Sequence, residues 1–156
     1  MKLGDFIVKE AVVTHVQAHD RNGVIKELVT ALAASGAIGS VDPAEVTRAV
    51  IARENEGSTG FGKGVAVPHA KTGMVQRVIG VVGRCPDGID FSALDRAPVY
   101  TVILLLAPQS QPELHLEAME CIFRNLSRDN FRRFLRQAAS GAEIAALLQE
   151  ADDTPA

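Results

Sequence analysis

The chain has only two cysteines, Cys85 and Cys121, and they stand apart with no CxxC spacing. That argues against a disulfide framework and makes a reducing cytoplasm the default compartment. Long apolar runs are lacking too. The longest covers residues 99–107, is interrupted by Thr101, and falls far short of the ~20 residues a spanning helix needs, so no membrane insertion is expected. At the N-terminus, Asp5 and Glu10 fall where a signal peptide would be apolar, which argues against a signal. Positive charge is not in excess: the net charge is −3 and the pI about 5.8. Nothing resembles the basic patch that nucleic acid demands. Internal repeats, linkers and low-complexity segments are also missing. What is present is 156 residues of ordinary globular composition, 47% hydrophobic and 22% charged. The expectation is one domain over residues 1–150 with a single core, followed by a polar tail, residues 151–156, that frays.

Residues 11–16, AVVTHV, are short and β-branched and predict a strand. Asp20 caps a helix whose apolar positions Val24, Ile25, Leu28, Val29 and Leu32 share one face, and Gly36 ends it. Asp42, Pro43 and Glu45 open a second helix, with Asp as cap, Pro in the first turn and Glu completing a capping box. It carries Val46, Ala49 and Val50 and runs to about Arg53. Glycines 57, 60, 62 and 64 then predict a loop. Residues 65–67 form a short strand stopped by Pro68, and residues 78–82 a fuller one. Residues 99–107, apolar at nearly every position, predict a strand covered on both faces. Ser110 to Glu113, SQPE, reads as a capping box opening a helix with His115, Leu116, Met119, Ile122, Phe123 and Leu126. Phe131, Phe134, Leu135 and Ala138 mark a fourth helix, and Ser140 caps a fifth through Leu148. Strands lie among helices without strict alternation. The fold class is therefore α/β, a three-layer α/β/α sandwich with a mixed β-sheet.

Residues 57–63, GSTGFGK, match a phosphate-binding P-loop as far as the lysine. The match fails at Gly64, where a P-loop needs a Ser or Thr hydroxyl for Mg²⁺. The order fails as well. A P-loop follows a strand and opens a helix, whose N-terminus faces the phosphates; here a helix precedes and a strand follows. The plainest alternative is a flexible connection whose glycines tolerate positive φ. The residues around the loop say more. Arg53 ends the preceding helix, Ser58 and Thr59 offer hydroxyls, and His69 sits at a strand end fixed by Pro68. Arginine, hydroxyls and glycine N–H groups together make an anion site. A neutral imidazole pointing into such a site can attack phosphorus without a metal and form a labile phosphohistidine.

The segment from Arg53 to Lys71, RENEGSTGFGKGVAVPHAK, closely resembles the signature of the fructose/mannitol-type enzyme IIA domains of the bacterial sugar phosphotransferase system. The similarity extends over essentially the whole chain, through GIDFSALDRAPVYTVILLLAP and the helical PELHLEAMECIFRNLSRDNFRRFLRQAASGAEI. It also covers the nitrogen-regulatory IIA branch. Ala70 stands where that branch often has Gly, and Arg96 where Gly is usual after Asp. The resemblance implies that His69 is phosphorylated through Nε2 by a histidine phosphocarrier protein of the HPr type, and that a IIB domain receives the group. His115 matches the family's second active-site histidine and would hold a ring N–H toward the transferring phosphoryl group. Arg53 matches the arginine that orients or neutralises that group, and Thr59 the loop threonine that donates a hydrogen bond to it. Neither metal nor other cofactor is implied.

Blander readings accompany each residue. Without the resemblance, His115 near a helix start is a capping or partly buried residue, and Arg53 complements a helix dipole. His15 and His19 precede the first helix, so their spacing does not converge on a metal. Cys121 reads as core filling, Cys85 as part of a loop, and Lys63 as solvated. Phe61 either joins an apolar docking patch or tucks into the core to anchor the loop. The rival function is a regulatory module whose phosphorylation controls association with a transporter or kinase. The lack of a fused IIB or IIC segment leans that way, although a separate IIB partner would serve equally well.

Overall fold

The most apolar stretch of the sequence forms the middle of a five-stranded sheet. The computed structural model describes residues 1–154. Its strands are β1 (Gly60–Gly62), β2 (Val65–Ala66), β3 (His69–Thr72), β4 (Ile79–Ile89) and β5 (Val99–Pro108). The helices are α1 (Arg21–Ala34), α2 (Pro43–Glu56), α3 (Pro112–Leu126), α4 (Asp129–Gln137) and α5 (Gly141–Asp153). Along one side of β5 run β2 and then β3, both parallel to it, with Val65 opposite Thr101 and His69 opposite Leu105. Along its other side runs β4, antiparallel, with Val82 opposite Ile103.

Side chains alternate between the faces of a strand, and β5 uses both. Val102, Leu104 and Leu106 pack with Leu28 of α1 and Val50 of α2. Ile103, Leu105 and Ala107 pack with Ile122 of α3, Leu135 of α4 and Leu148 of α5. The sheet thus separates two cores, and the three-layer sandwich with a mixed sheet is the observed architecture. At Gly83 the backbone of β4 comes close to α1: a Cβ there would lie 2.6 Å from Leu28 Cδ2, so a side chain would displace that buried leucine.

Several expectations need correction. Residues 11–16 are not a strand. The N-terminal chain rides the free edge of β4 through two isolated parallel bridges, Ile7 with Gly80 and Val13 with Gly83. A 3-10 turn, Lys9–Ala11, buckles the chain between them. Cys85 lies in β4, not in a loop, and is buried. The SQPE box does not form: Gln111 is the N-cap of α3 and no side chain caps it. Asp42 does cap α2, but it accepts from Ala44 N, and the helix continues past Arg53 to Glu56. Helix α5 runs beyond Leu148 to Asp153. Residues 151–153 of the expected tail are thus helical, and Asp152 accepts from the N–H groups of Leu3 and Gly4 at 2.8 Å. The last two residues of that tail lie outside the described ones. Elsewhere the caps are as read, with Asp20 accepting from Gly23 N and Ser140 from Glu143 N.

The glycine loop contains a hairpin. Lys63 and Gly64 join β1 to β2 at φ 61° and 77°. A two-residue turn with both centres positive suits the twist of a hairpin. Asp95 fastens its tip, accepting from Lys63 N with one carboxylate oxygen and from Ala97 N with the other, each at 3.0 Å. The next residue, Arg96, also sits in the left-handed region, at φ 61°. This gives a physical reason for the glycine usual there in the family resembled, because a side chain in that region is strained. Arg96→Gly is expected to raise stability by about 0.5–1 kcal/mol, read as a higher urea midpoint at unchanged slope. A lower midpoint would show that the Arg96 side chain contributes more than its backbone costs.

Candidate functional site

Helix α2 delivers two residues to the site from one turn. Val46, Val50 and Glu54 are its buried positions, four residues apart, so Glu54 continues an apolar stripe inward. It is 2% exposed. Its carboxylate accepts from Thr59 twice, from the backbone N–H at 2.7 Å and from the hydroxyl at 2.6 Å. Arg53, one position earlier, is half-buried and donates to the Gly57 carbonyl at 3.0 Å. Helix end and loop are therefore tied together by a buried carboxylate and an arginine.

This arrangement changes the roles expected of the loop. The Thr59 hydroxyl donates to Glu54. The Gly60 N–H donates to Ser58 Oγ, whose hydroxyl in turn donates to the Phe91 carbonyl. With Thr59 N on Glu54 and Lys63 N on Asp95, these loop N–H groups are satisfied within the protein. The loop is a scaffold here, not an open nest of amides. Phe61 is half-buried, packs against the α3–α5 core and meets Phe123 edge to face at 4.8 Å. That is the anchoring geometry of its two readings.

His69 opens β3 and is 9% exposed. Its Nδ1 lies 2.8 Å from the Val67 carbonyl oxygen. A carbonyl only accepts, so Nδ1 carries the hydrogen and the ring's lone pair is left on Nε2. His115, in the first turns of α3, brings its ring to 5.1 Å from that of His69, centroid to centroid. The His115 Nε2 is buried and has no hydrogen-bond partner among the described residues. Such an orphan carries a desolvation cost of about 1–3 kcal/mol unless something fills the place.

Electrostatics keep both rings neutral. Burial lowers the pKa of His69, the Val67 carbonyl opposes, Arg53 lowers it further, Glu54 opposes and Lys71 lowers. Burial is also the main cause at His115, followed by His69, Lys71 and Arg53, and together they bring it to about 4. The folded His115 therefore protonates later than the unfolded one, whose ordinary value is 6.5. The unfolded chain binds the extra proton between those values, so stability rises with pH across the window. The contribution is complete above the ordinary value and is lost as pH falls toward 4. The urea midpoint of the wild type is expected to drop more between neutral pH and pH ~5 than that of His115→Gln. Equal drops would mean that His115 titrates as it does unfolded.

The structure thus sets His69 and His115 ring beside ring and leaves the charge of Arg53 near enough to lower the pKa of both. It places Thr59 beside them as a residue held by Glu54. Sequence reasoning passed over Glu54 and Lys71. The signal for Glu54 was a carboxylate at the next apolar position of α2. His15 and His19 lie outside the site on the exposed surface. The described residues contain no group of three or more His, Cys, Asp and Glu able to hold a metal.

The family described as "Phosphoenolpyruvate-dependent sugar phosphotransferase system, EIIA 2" matches residues 5–151. The chain belongs to this family. It is 32% identical over 152 residues to the "PTS system fructose-specific EIIABC component" of Bacillus subtilis (strain 168), covering 97% of this chain and 24% of that protein. The chain therefore spans about a quarter of that longer relative. It is 30% identical over 156 residues to the "Nitrogen regulatory protein" of Escherichia coli (strain K12), covering 99% and 94%. Among solved structures, the nitrogen regulatory protein IIA-Ntr of Neisseria meningitidis superposes with a TM-score of 0.84 at 28% identity, covering 94% of this chain and 98% of that one. A complex of the mannitol IIA with phosphorylated IIB from Escherichia coli shares the fold, with a TM-score of 0.74 at 22% identity. These EIIA 2 relatives bear both fructose-system and nitrogen-regulatory names, the two branches that the sequence resembles. Among the described residues, no helix is long and apolar enough to cross a membrane.

Proposed function

We propose that this EIIA 2 family member is a phosphoryl carrier that holds the group on His69 Nε2. The observation that carries this reading is the Nδ1 contact with the Val67 carbonyl, which leaves Nε2 as the ring's nucleophile. In the step, the Nε2 lone pair forms a bond to phosphorus as the phosphorus–nitrogen bond of a phosphohistidine on an HPr-type carrier breaks. The breaking pair returns to the donor imidazole. Transfer between two imidazoles is nearly balanced, so positioning and charge stabilisation do the catalysis. Arg53, whose charge is felt by both rings, balances the dianion. His115 Nε2, unpartnered against His69, takes a place from which it can donate to a phosphoryl oxygen. No metal or cofactor is needed. Thr59 acts through the loop that Glu54 holds in place.

The carrier must approach over α3, where Leu116 is 59% exposed and Phe123 38%. An apolar face beside a charged centre suits a transient docking partner. The onward acceptor is a IIB domain, and the compartment is the cytoplasm, where such carriers work. The 94% coverage of a nitrogen regulatory protein supports a second reading, in which the phosphorylation state of the same His69 controls association with a target protein. The test is reconstitution with phosphoenolpyruvate, the general phosphotransfer proteins and a purified IIB domain. Acid-labile, base-stable label that builds up on the chain and then passes to IIB supports the carrier reading. Label that builds up and is never passed on leaves the regulatory one.

A further inference from the structure

The hairpin that begins beside the histidines ends at a different cavity. Thr59 lies at its base, against Glu54, and Lys63 at its tip. Lys63 lines a concave volume of about 710 Å³ together with Arg84, Tyr100, Arg133 and Arg136. Tyr100 and Thr101 of β5 also face it, whereas His69 pairs with Leu105. Four residues of strand, at about 3.3 Å each, put some 13 Å of sheet between the two places.

We propose that this cavity binds a small polyanion carrying two or more phosphate or carboxylate groups. Charge is the first ground. The chain as a whole is acidic, at −3, yet cations crowd this one cavity. Among the described residues the only ion pair is Arg132 with Asp129. Lys63, Arg84, Arg133 and Arg136 therefore face or flank the cavity with no carboxylate partner. The other acid there, Asp95, has its oxygens on the N–H groups of Lys63 and Ala97.

Preorganisation is the second ground. Arg84 donates to the Arg136 carbonyl at 2.7 Å and to the Thr14 carbonyl at 3.3 Å, so its charge is fixed in place by groups that do not neutralise it. The Arg136 guanidinium lies 3.5 Å over the Tyr100 ring. Stacking holds the plane while leaving the N–H edge free for bidentate contact with an oxyanion. Arg133 is oriented by Asn130 at 3.0 Å. Fixed guanidiniums lose less freedom on binding than mobile ones. The volume matches sites for small molecules, and several cations around one hollow favour a compact ligand with more than one anionic group.

The experiment titrates ¹⁵N-labelled protein at low salt with inorganic pyrophosphate in one arm and citrate in the other. Amide shifts of Lys63, Tyr100 and Arg136 are expected to saturate with one or both, and the two arms tell phosphate from carboxylate preference. Lys63→Glu/Arg133→Glu is expected to weaken binding by more than about tenfold, while Arg48→Glu/Arg77→Glu, remote exposed arginines, leaves it intact. Added salt should weaken it. His69→Ala should bind as the wild type does, so this outcome is independent of the carrier reading. If neither probe saturates, if the remote pair matters equally, or if only a polyglutamate peptide shifts these amides, the inference is overturned.

Discussion

His69→Ala should fold as the wild type does and accept no label from phosphoenolpyruvate and the general phosphotransfer proteins. The fold should survive because the His69 ring makes one hydrogen bond, to Val67 two residues away. A neutral hydrogen bond of that kind is worth about 1 kcal/mol net. The strand pairing of His69 with Leu105 is a backbone matter and is retained. Labelling should vanish because no other imidazole can take its place. His115 is the neighbour proposed to donate to the group, not to carry it, and His15 and His19 are exposed side chains outside the site. The measurement is label incorporation beside a thermal melt. Acid-labile, base-stable label persisting on a folded His69→Ala protein would move the phosphosite elsewhere.

His115→Ala should still be phosphorylated, but transfer in and out should slow by about 10²–10³. The side chain removed is one that the resting protein does not use. Its Nε2 has no partner among the described residues, so the ground state loses little. In the proposed role it supplies a donor to the group as charge develops on it, and that is where one lost hydrogen bond costs most. Single-turnover transfer from the phosphorylated carrier reads the effect directly. His115→Gln should recover part of the rate because its amide still donates. Wild-type rates in His115→Ala would make the residue structural.

Much of this architecture was legible because burial on two faces leaves a plain mark. β5 can be read from residues 99–107 since nearly every position is buried on one face or the other, and α1 from its stripe and Asp20. β3, HAKT, is not legible in the sequence. Four residues with no apolar pattern are held extended by pairing with β5 and not by their own preference. Pro86 makes the sequence around Cys85 read as a loop. A proline is tolerated at an irregularity, and the register of β4 shifts between Arg84 and Ile89. SQPE had the spacing of a capping box, but a backbone turn from Gln111 N to the Pro108 carbonyl begins the helix one residue later. In the site, the histidine and arginine were visible because their chemistry is bound to their side chains. The use of the loop amides was not, because Glu54, Asp95 and Ser58 claim them only once the chain is folded.

The unpartnered nitrogen of His115 has a consequence for the proton inventory of transfer. In the resting protein burial holds both imidazoles neutral, each with a single N–H, and His115 takes up a second proton only near pH 4. A phosphoryl group on His69 brings roughly two negative charges to within reach of that ring. The same neighbour that was a like-charged competitor becomes a counter-ion, which reverses its effect on His115. Loading the carrier should then draw a proton from solution, and unloading should return it. Titrated alone, the loaded chain should therefore show a His115 imidazolium that forms at higher pH than in the resting protein.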